Sequence, residues 1–282
     1  METRKAKKQT NDRKGKKGRQ GLSAAFIAVA AIAVAAVLFV GAYTITKVRT
    51  ITVSGNNKYS ADSIINLSGL YTGKNIFTYD LGAARRNIEK NPYIKCDSVR
   101  RALPSSIRIS VTERREFAAI LLGSGNYCVI DETGFVLDIG RTQESVEGLL
   151  PIYGLGSMGF AVGTRINDDG GRLRPYTVMQ MLDSIGDRIV KIKSIDISNS
   201  SNVKLTTVEG VTVVLGDSVN IPSKIDRMFR ALEKVDPARA GTAVIYVNST
   251  GTTDLSYPTP IPSNTPEPEP TEPALTDEAP GD

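Results

Sequence analysis

Hydrophobic and polar positions along the chain fall into distinct regimes. From Leu22 to Tyr43 the sequence LSAAFIAVAAIAVAAVLFVGAY carries no charge over 22 residues. At about 1.5 Å per residue this makes a helix of roughly 33 Å, enough to cross a hydrocarbon core of roughly 30 Å. Nine of these residues are Ala, which is near neutral for insertion, so the drive comes from Leu22, Phe26, Ile27, Val29, Ile32, Val34, Val37, Leu38, Phe39 and Val40. Together these contribute on the order of −3 to −6 kcal/mol. The apolar run is longer than the core of a cleaved signal. The pattern therefore predicts a retained membrane helix within residues 21–46, ahead of a folded body.

From residue 47 to 115 short periodic segments alternate with turn residues. Val48 to Val53 is β-branched and ends at Ser54-Gly55-Asn56-Asn57, a turn cluster. Ser60 reads as the N-cap of a short helix carrying Ile64, Ile65 and Leu67, closed by Gly69. Asp80 reads as the cap of a second helix with Leu81, Ala84 and Ile88 on one face, stopped by Asn91-Pro92. A strand around Ile94 to Ala102 follows. Beyond Pro104-Ser105, Ile107, Ile109 and Val111 alternate with Arg108 and Ser110, the period of a half-buried strand. The predicted order is β-α-α-β-β.

From 116 to 257 strands dominate. Phe117 to Leu122, Tyr127 to Ile130 and Phe135 to Ile139 read as strands, the last two joined through Asp131-Glu132-Thr133-Gly134. Leu149 to Tyr153 contains Pro151 and is expected at a sheet edge or strand end. Leu173 to Ile185 and Pro222 to Val235 read as helices, the second with Ile225, Met228, Phe229 and Leu232 on one face. Val190 to Ile197, Val203 to Thr207, Val211 to Leu215 and Ala243 to Val247 complete the strands, the last expected to be the final one. The fold class is α+β: one transmembrane helix, a β-α-α-β-β domain, and a mostly antiparallel β-rich domain with two helices.

Charge separates the two ends. Residues 1–20 hold nine Lys or Arg against Glu2 and Asp12, whereas residues 258–282 hold six Asp or Glu, eight Pro and no base. Both stretches lack apolar periodicity and are expected to be disordered. The basic stretch keeps its side cytoplasmic and places the body outside the membrane; without interleaved aromatics it does not read as nucleic-acid binding. The chain has no His, which removes the commonest general base and metal ligand. Cys96 and Cys128 are too few and too far apart for a metal site; they read as buried free thiols, with a pair as the alternative if the folded part lies outside the cytoplasm. No catalytic, cofactor or metal constellation emerges. Gly154-Leu155-Gly156-Ser157-Met158-Gly159 matches GxGxxG, but Phe160 to Thr164 does not open a helix and Asp168 and Asp169 come too early for a ribose ligand, so a flexible loop is expected. Glu113 with Arg114 reads as a domain-boundary ion pair.

Several stretches resemble the FtsQ/DivIB family of cell-division proteins. Val48, Ile51, Val53, Ser54, Gly55 and Asn56 give VxxIxVSGN; Gly73, Asn75, Ile76 and Phe77 give GxNIF; Asn91 to Ile94 give NPYI. Val99 to Glu116, VRRALPSSIRISVTERRE, is the most specific match, and VIDETGFVLD, LLPIYGL and VKLTTVEGVTVVLG extend the likeness through the second domain. The resemblance implies a POTRA domain at 47–115, a β-domain at 116–257, a place at the division septum, and no enzymatic activity. It also implies partners similar to FtsB/DivIC and FtsL. The expected recognition mode is addition of a partner strand to an open sheet edge. The residues expected to carry it are Val244, Ile245, Tyr246, Val247, Asn248, Ser249 and Thr250, with Lys224, Arg227 and Arg230 facing an acidic partner segment. The competing reading is a POTRA-bearing envelope transport or sensor protein unrelated to division.

Overall fold

The structure, a computed structural model, describes residues 20–167 and 173–258. The expectations of disorder for the basic and acidic tails fall outside these residues. The chain divides into two compact units, one ending at Arg115 and one beginning at Glu116.

The first unit opens with helix α1, Gln20–Ile45. Its stretch Ala24–Ile45 is, among the described residues, the one helix long and apolar enough to cross a membrane, and its side chains are exposed almost throughout. Strand β1 (Thr50–Ser54), helices α2 (Ala61–Ser68) and α3 (Leu81–Ile88), and strands β2 (Ile94–Ala102) and β3 (Ser106–Glu113) follow in the predicted order. Strand β3 lies in the middle, parallel to β1 and antiparallel to β2. The caps are those read from sequence: the Ser60 side chain accepts from the Ser63 N–H, and Asp80 from the Ala83 N–H. The alternation along β3 turns Ile107, Ile109 and Val111 inward, where they meet Ile64, Ala84 and Ile88 of the two helices. At about 1.5–3 kcal/mol per fully buried aliphatic side chain, this face supplies most of the drive for the unit to close.

Gly55 explains the SGN turn. Its φ is 86°, and a Cβ there would overlap the Val111 carbonyl, so only glycine fits where the chain leaves β1. Glu113 differs from expectation. Its carboxylate accepts from the N–H groups of Asn57, Lys58 and Tyr59 at 2.7, 2.8 and 2.9 Å, which makes it the clamp of that turn.

The second unit is built on one sheet of nine strands. In chain order these are β4 (Ala118–Leu121), β5 (Tyr127–Ile130), β6 (Val136–Arg141), β7 (Leu150–Tyr153), β8 (Ile192–Asp196), β9 (Val203–Thr207), β10 (Thr212–Gly216), β11 (Val244–Val247) and β12 (Thr253–Ser256). Helix α4 (Leu173–Ile185) precedes β8, and α5 (Ile221–Leu232) links β10 to β11. The spatial order is β12-β11-β10-β9-β8-β7-β4-β5-β6, with five antiparallel and three parallel pairings. One continuous core joins both helices to the sheet through Met181, Ile185, Ile225, Met228 and Phe229.

Two expectations about loops and edges are corrected here. Strand β7 is central rather than an edge, parallel to β4 on one side and β8 on the other, and it is the strand-end alternative that holds, with Pro151 the second residue of the strand. Pro151 is tolerated because the Leu150 N–H points to the β4 side, to the Phe117 carbonyl, so the missing donor of Pro151 falls toward β8, which pairs only from Ile152 onward. The GxGxxG stretch is not simply a flexible loop either. A Cβ on Gly154 would overlap the backbone at Ile197–Ser198, and one on Gly156 would sit 2.8 Å from the Gly123 nitrogen. These glycines let backbones approach one another.

Candidate functional site

The region expected to bind a partner lies around α5, β11 and β12. Strand β11 alternates as expected: Ile245 and Val247 are buried against the helices, while Tyr246 is 43% exposed on the opposite face. It is not, however, an open edge. Thr212, Val213 and Val214 of β10 pair with Val244, Ile245 and Tyr246, and on the other side Val244 to Val247 pair with Ser256 to Thr253. The covering strand β12 escaped the sequence reading because Thr253-Asp254-Leu255-Ser256 has a single aliphatic residue. Its signal was the period of two in Thr253, Leu255 and Tyr257, all half-buried while Asp254 and Ser256 are exposed. Among the described residues nothing pairs with the outer side of β12.

Asn248, Ser249 and Thr250 form the exposed tip of the β11–β12 hairpin. The Asn248 N–H donates to the Thr252 carbonyl at 3.0 Å, and the Asn248 amide donates to Thr252 Oγ1 and Asp254 Oδ2 at 3.0 and 3.2 Å. The Asn248–Thr252 bond fixes the alternation of the ladder: the N–H groups of Asp254 and Ser256 point to β11, and those of Thr253 and Leu255 point outward.

Helix α5 holds this hairpin. Arg227 Nη1 donates to the Asn248 carbonyl at 2.8 Å. Lys224 was expected on the outer face but is fully buried; its ammonium donates to Asp217 Oδ1 at 2.6 Å and to the Asp217 carbonyl at 2.8 Å. Lys224 lies one turn before Met228 and beside Ile225, on the core side of the helix, so only its head reaches polar partners. Ser249 Oγ donates to the same carboxylate at 3.1 Å. The Lys224 ammonium, with the Val219 N–H, holds Asp217 below the usual carboxylate range.

Asp226 and Glu233 are exposed on this stretch of chain, and the cations toward β12 are Arg227, Arg230 and Lys234. With Ala231, Gly251, Thr253 and Leu255 they line a cleft of about 390 Å³ between α5 and β12. Among the described residues none of the three is paired with a carboxylate. The arrangement offers outward backbone N–H and C=O groups, an apolar floor at Ala231 and Leu255, and a positive wall. Cys96 and Cys128 sit free and buried in the cores of separate units, and burial pushes the Cys128 thiol up to about 12.

An apolar helix that fits a single-pass membrane protein, followed by a POTRA-type unit and a mostly β unit with helices, defines the class of architecture. A family model described as "POTRA domain, FtsQ-type" matches residues 46–114, and one described as "Cell division protein FtsQ/DivIB, C-terminal" matches residues 118–248. The chain is 34% identical over 180 residues to the cell division protein DivIB of Clostridium acetobutylicum, covering 64% of this chain and 70% of that protein. DivIB of Clostridium tetani is 27% identical over 204 residues, 71% of this chain and 75% of the relative. The cell division protein FtsQ of Corynebacterium glutamicum is 38% identical over 107 residues, covering 37% and 48%. The chain belongs to the FtsQ/DivIB family of cell division proteins. That membership sets aside the reading as a transport or sensor protein unrelated to division. The second match ends at Asn248, so β12 and its edge lie beyond it.

Proposed function

We propose that the protein is a non-catalytic scaffold of the division septum, with residues 1–20 in the cytoplasm and the two units outside the membrane. It recruits bitopic partners similar to FtsB/DivIC and FtsL by strand addition. The observation that carries this reading is the outer edge of β12, where outward backbone groups lie beside the cleft of Arg227, Arg230 and Lys234. An extended partner segment would take the main-chain hydrogen bonds of Thr253 and Leu255, and its acidic side chains would meet the basic wall. Tyr246 and the tip residues Asn248, Ser249 and Thr250 flank that position. Val244, Ile245 and Val247 act by holding β12 in place, since their own edge is occupied.

Thr253→Pro tests this, because it removes one outward donor and none that β11 uses. Asp254→Pro is the comparison, since its donor belongs to the hairpin. Thr253→Pro is expected to keep the wild-type circular dichroism and thermal transition while losing both partners in co-purification. Arg230→Glu with Lys234→Glu is expected to weaken recovery at low salt. Removal of residues 259–282 is expected to leave recovery intact. A folded Thr253→Pro protein that retains both partners at wild-type levels would place the docking edge elsewhere.

A further inference from the structure

We propose that the end of the first unit carrying Phe77 and Leu103 rests on the lipid surface where α1 leaves the bilayer. The inference depends on the single-pass reading of α1 and adds a second contact with the same membrane.

Three chain segments converge at the end of α1. The Ile76 N–H donates to the Thr46 carbonyl at 2.9 Å, and the Asn75 amide donates to Thr46 Oγ1 at 2.8 Å and to the Tyr43 carbonyl at 3.4 Å. The Val48 N–H donates to the Lys74 carbonyl at 2.9 Å, and the Arg49 N–H to the Ser105 carbonyl at 2.8 Å. Thr46 lies three residues past Tyr43, roughly 4.5 Å along the helix axis. The headgroup layer extends roughly 5–7 Å beyond the hydrocarbon on each side. Groups bonded to Thr46 therefore lie at headgroup depth.

Beside these contacts the unit exposes two large apolar side chains, Phe77 at 60%, next to Ile76, and Leu103 at 64%, two residues before Ser105. A lone exposed apolar residue is ordinary. Tyr43 and Ile45 on the last turn of α1 are exposed as well, at 48% and 53%. The Phe77 turn is also held firmly. Asn75 Oδ1 accepts from the Phe77 N–H at 3.0 Å, and Arg101 donates to the Ile76 and Tyr79 carbonyls at 2.9 and 2.7 Å. The charges on these segments are Lys47, Arg49, Lys74 and Arg101, with no Asp or Glu in residues 43–49, 73–79 or 101–105. Apolar side chains on segments that carry cations and no acids suit an anionic headgroup boundary, where the side chains enter the acyl margin and the cations meet phosphates.

The chain contains no Trp, so a single introduced one reports its own surroundings. The full chain, reconstituted in vesicles of phosphatidylcholine and phosphatidylglycerol with brominated acyl chains, would carry Trp in turn at Ala33, Phe77, Leu103 and Lys58. Lys58 lies beyond the far end of β1, and its backbone N–H donates to Glu113. We expect Ala33→Trp to be quenched most by deep bromines, and Phe77→Trp and Leu103→Trp most by bromines near the headgroups. Lys58→Trp should emit equally in brominated and plain lipid. Adding Phe77→Ser to Leu103→Trp should remove much of the Leu103→Trp quenching while the thermal transition is retained. If Ala33→Trp is quenched but Phe77→Trp and Leu103→Trp match Lys58→Trp, the surface contact is overturned and the anchor stands. If Ala33→Trp is also unquenched, the anchor reading fails and the surface contact fails with it.

Discussion

At the scale of single residues, the groups legible in the sequence are those whose partners lie close by in the chain. Ser60 and Asp80 cap N–H groups three residues ahead, and both were readable from that local pattern. Glu113 was misread because its donors lie 54 to 56 positions away. Burial raises the Glu113 carboxyl, but the three N–H donors outweigh this and hold it below the ordinary glutamate range. Its folded value is therefore the depressed one. The stability it contributes is complete above the unfolded value, about 4.3, and is lost as pH falls through the folded value. Glu113→Gln is expected to lower the stability of the first unit by about 1–2 kcal/mol at neutral pH. The gap to wild type should close at strongly acidic pH. Urea unfolding of residues 47–258 across that range checks both the size and the slope.

At the scale of elements, the hydrophobic stripe of α5 was correct, whereas its polar side was not. Ile225, Met228 and Phe229 face the core as their spacing requires, but the same spacing cannot say which cation is taken inside with them. Lys224 stands near the N-terminal end of α5, where the helix dipole disfavours positive charge. The Asp217 carboxylate offsets this and at the same time ties the Ser249 tip to the helix. Removing that carboxylate leaves a buried ammonium. Asp217→Ala is expected to cost somewhat less than the roughly 3–5 kcal/mol of a fully buried pair, because Asp217 itself is half exposed. Lys224→Met keeps the packed stem and removes the charge, so the fold should hold while the tip loosens. Hydrogen exchange at residues 249–252 should then quicken without a comparable change in α4. Strand β12 belongs to the same lesson: four residues with one aliphatic side chain carry too weak a period to be read without the neighbouring β11.

At the scale of the whole molecule, the strands of both units other than β12 were legible but the order of the larger sheet was not. Short strand patterns give a period, and the return of β7 to the free side of β4 is a parallel pairing set by contacts far apart in sequence. The two separate cores predict separate folding. A fragment of residues 47–115 should unfold in one cooperative transition on its own, since α2 and α3 already cover the inner face of its sheet. Ile109→Asp should abolish that transition by putting an unpartnered charge at a position only 1% exposed. Calorimetry on the fragment and on residues 47–258 tests both statements.

From β7 onward, each later strand of the large sheet lies beside the one made just before it, through β8, β9, β10, β11 and β12. The sheet can thus be laid down like courses of brick, in the order the ribosome delivers them. Every course serves first as newcomer and then as the bed for its successor. Strand β12 is the last described course, and its uncovered side is a construction front left standing. A strand from another chain would continue the same process by one step, using the geometry that placed β11 on β10 and β12 on β11. The front is short and largely polar, with Thr253, Asp254 and Ser256 in four positions, which discourages copies of the protein from building on one another.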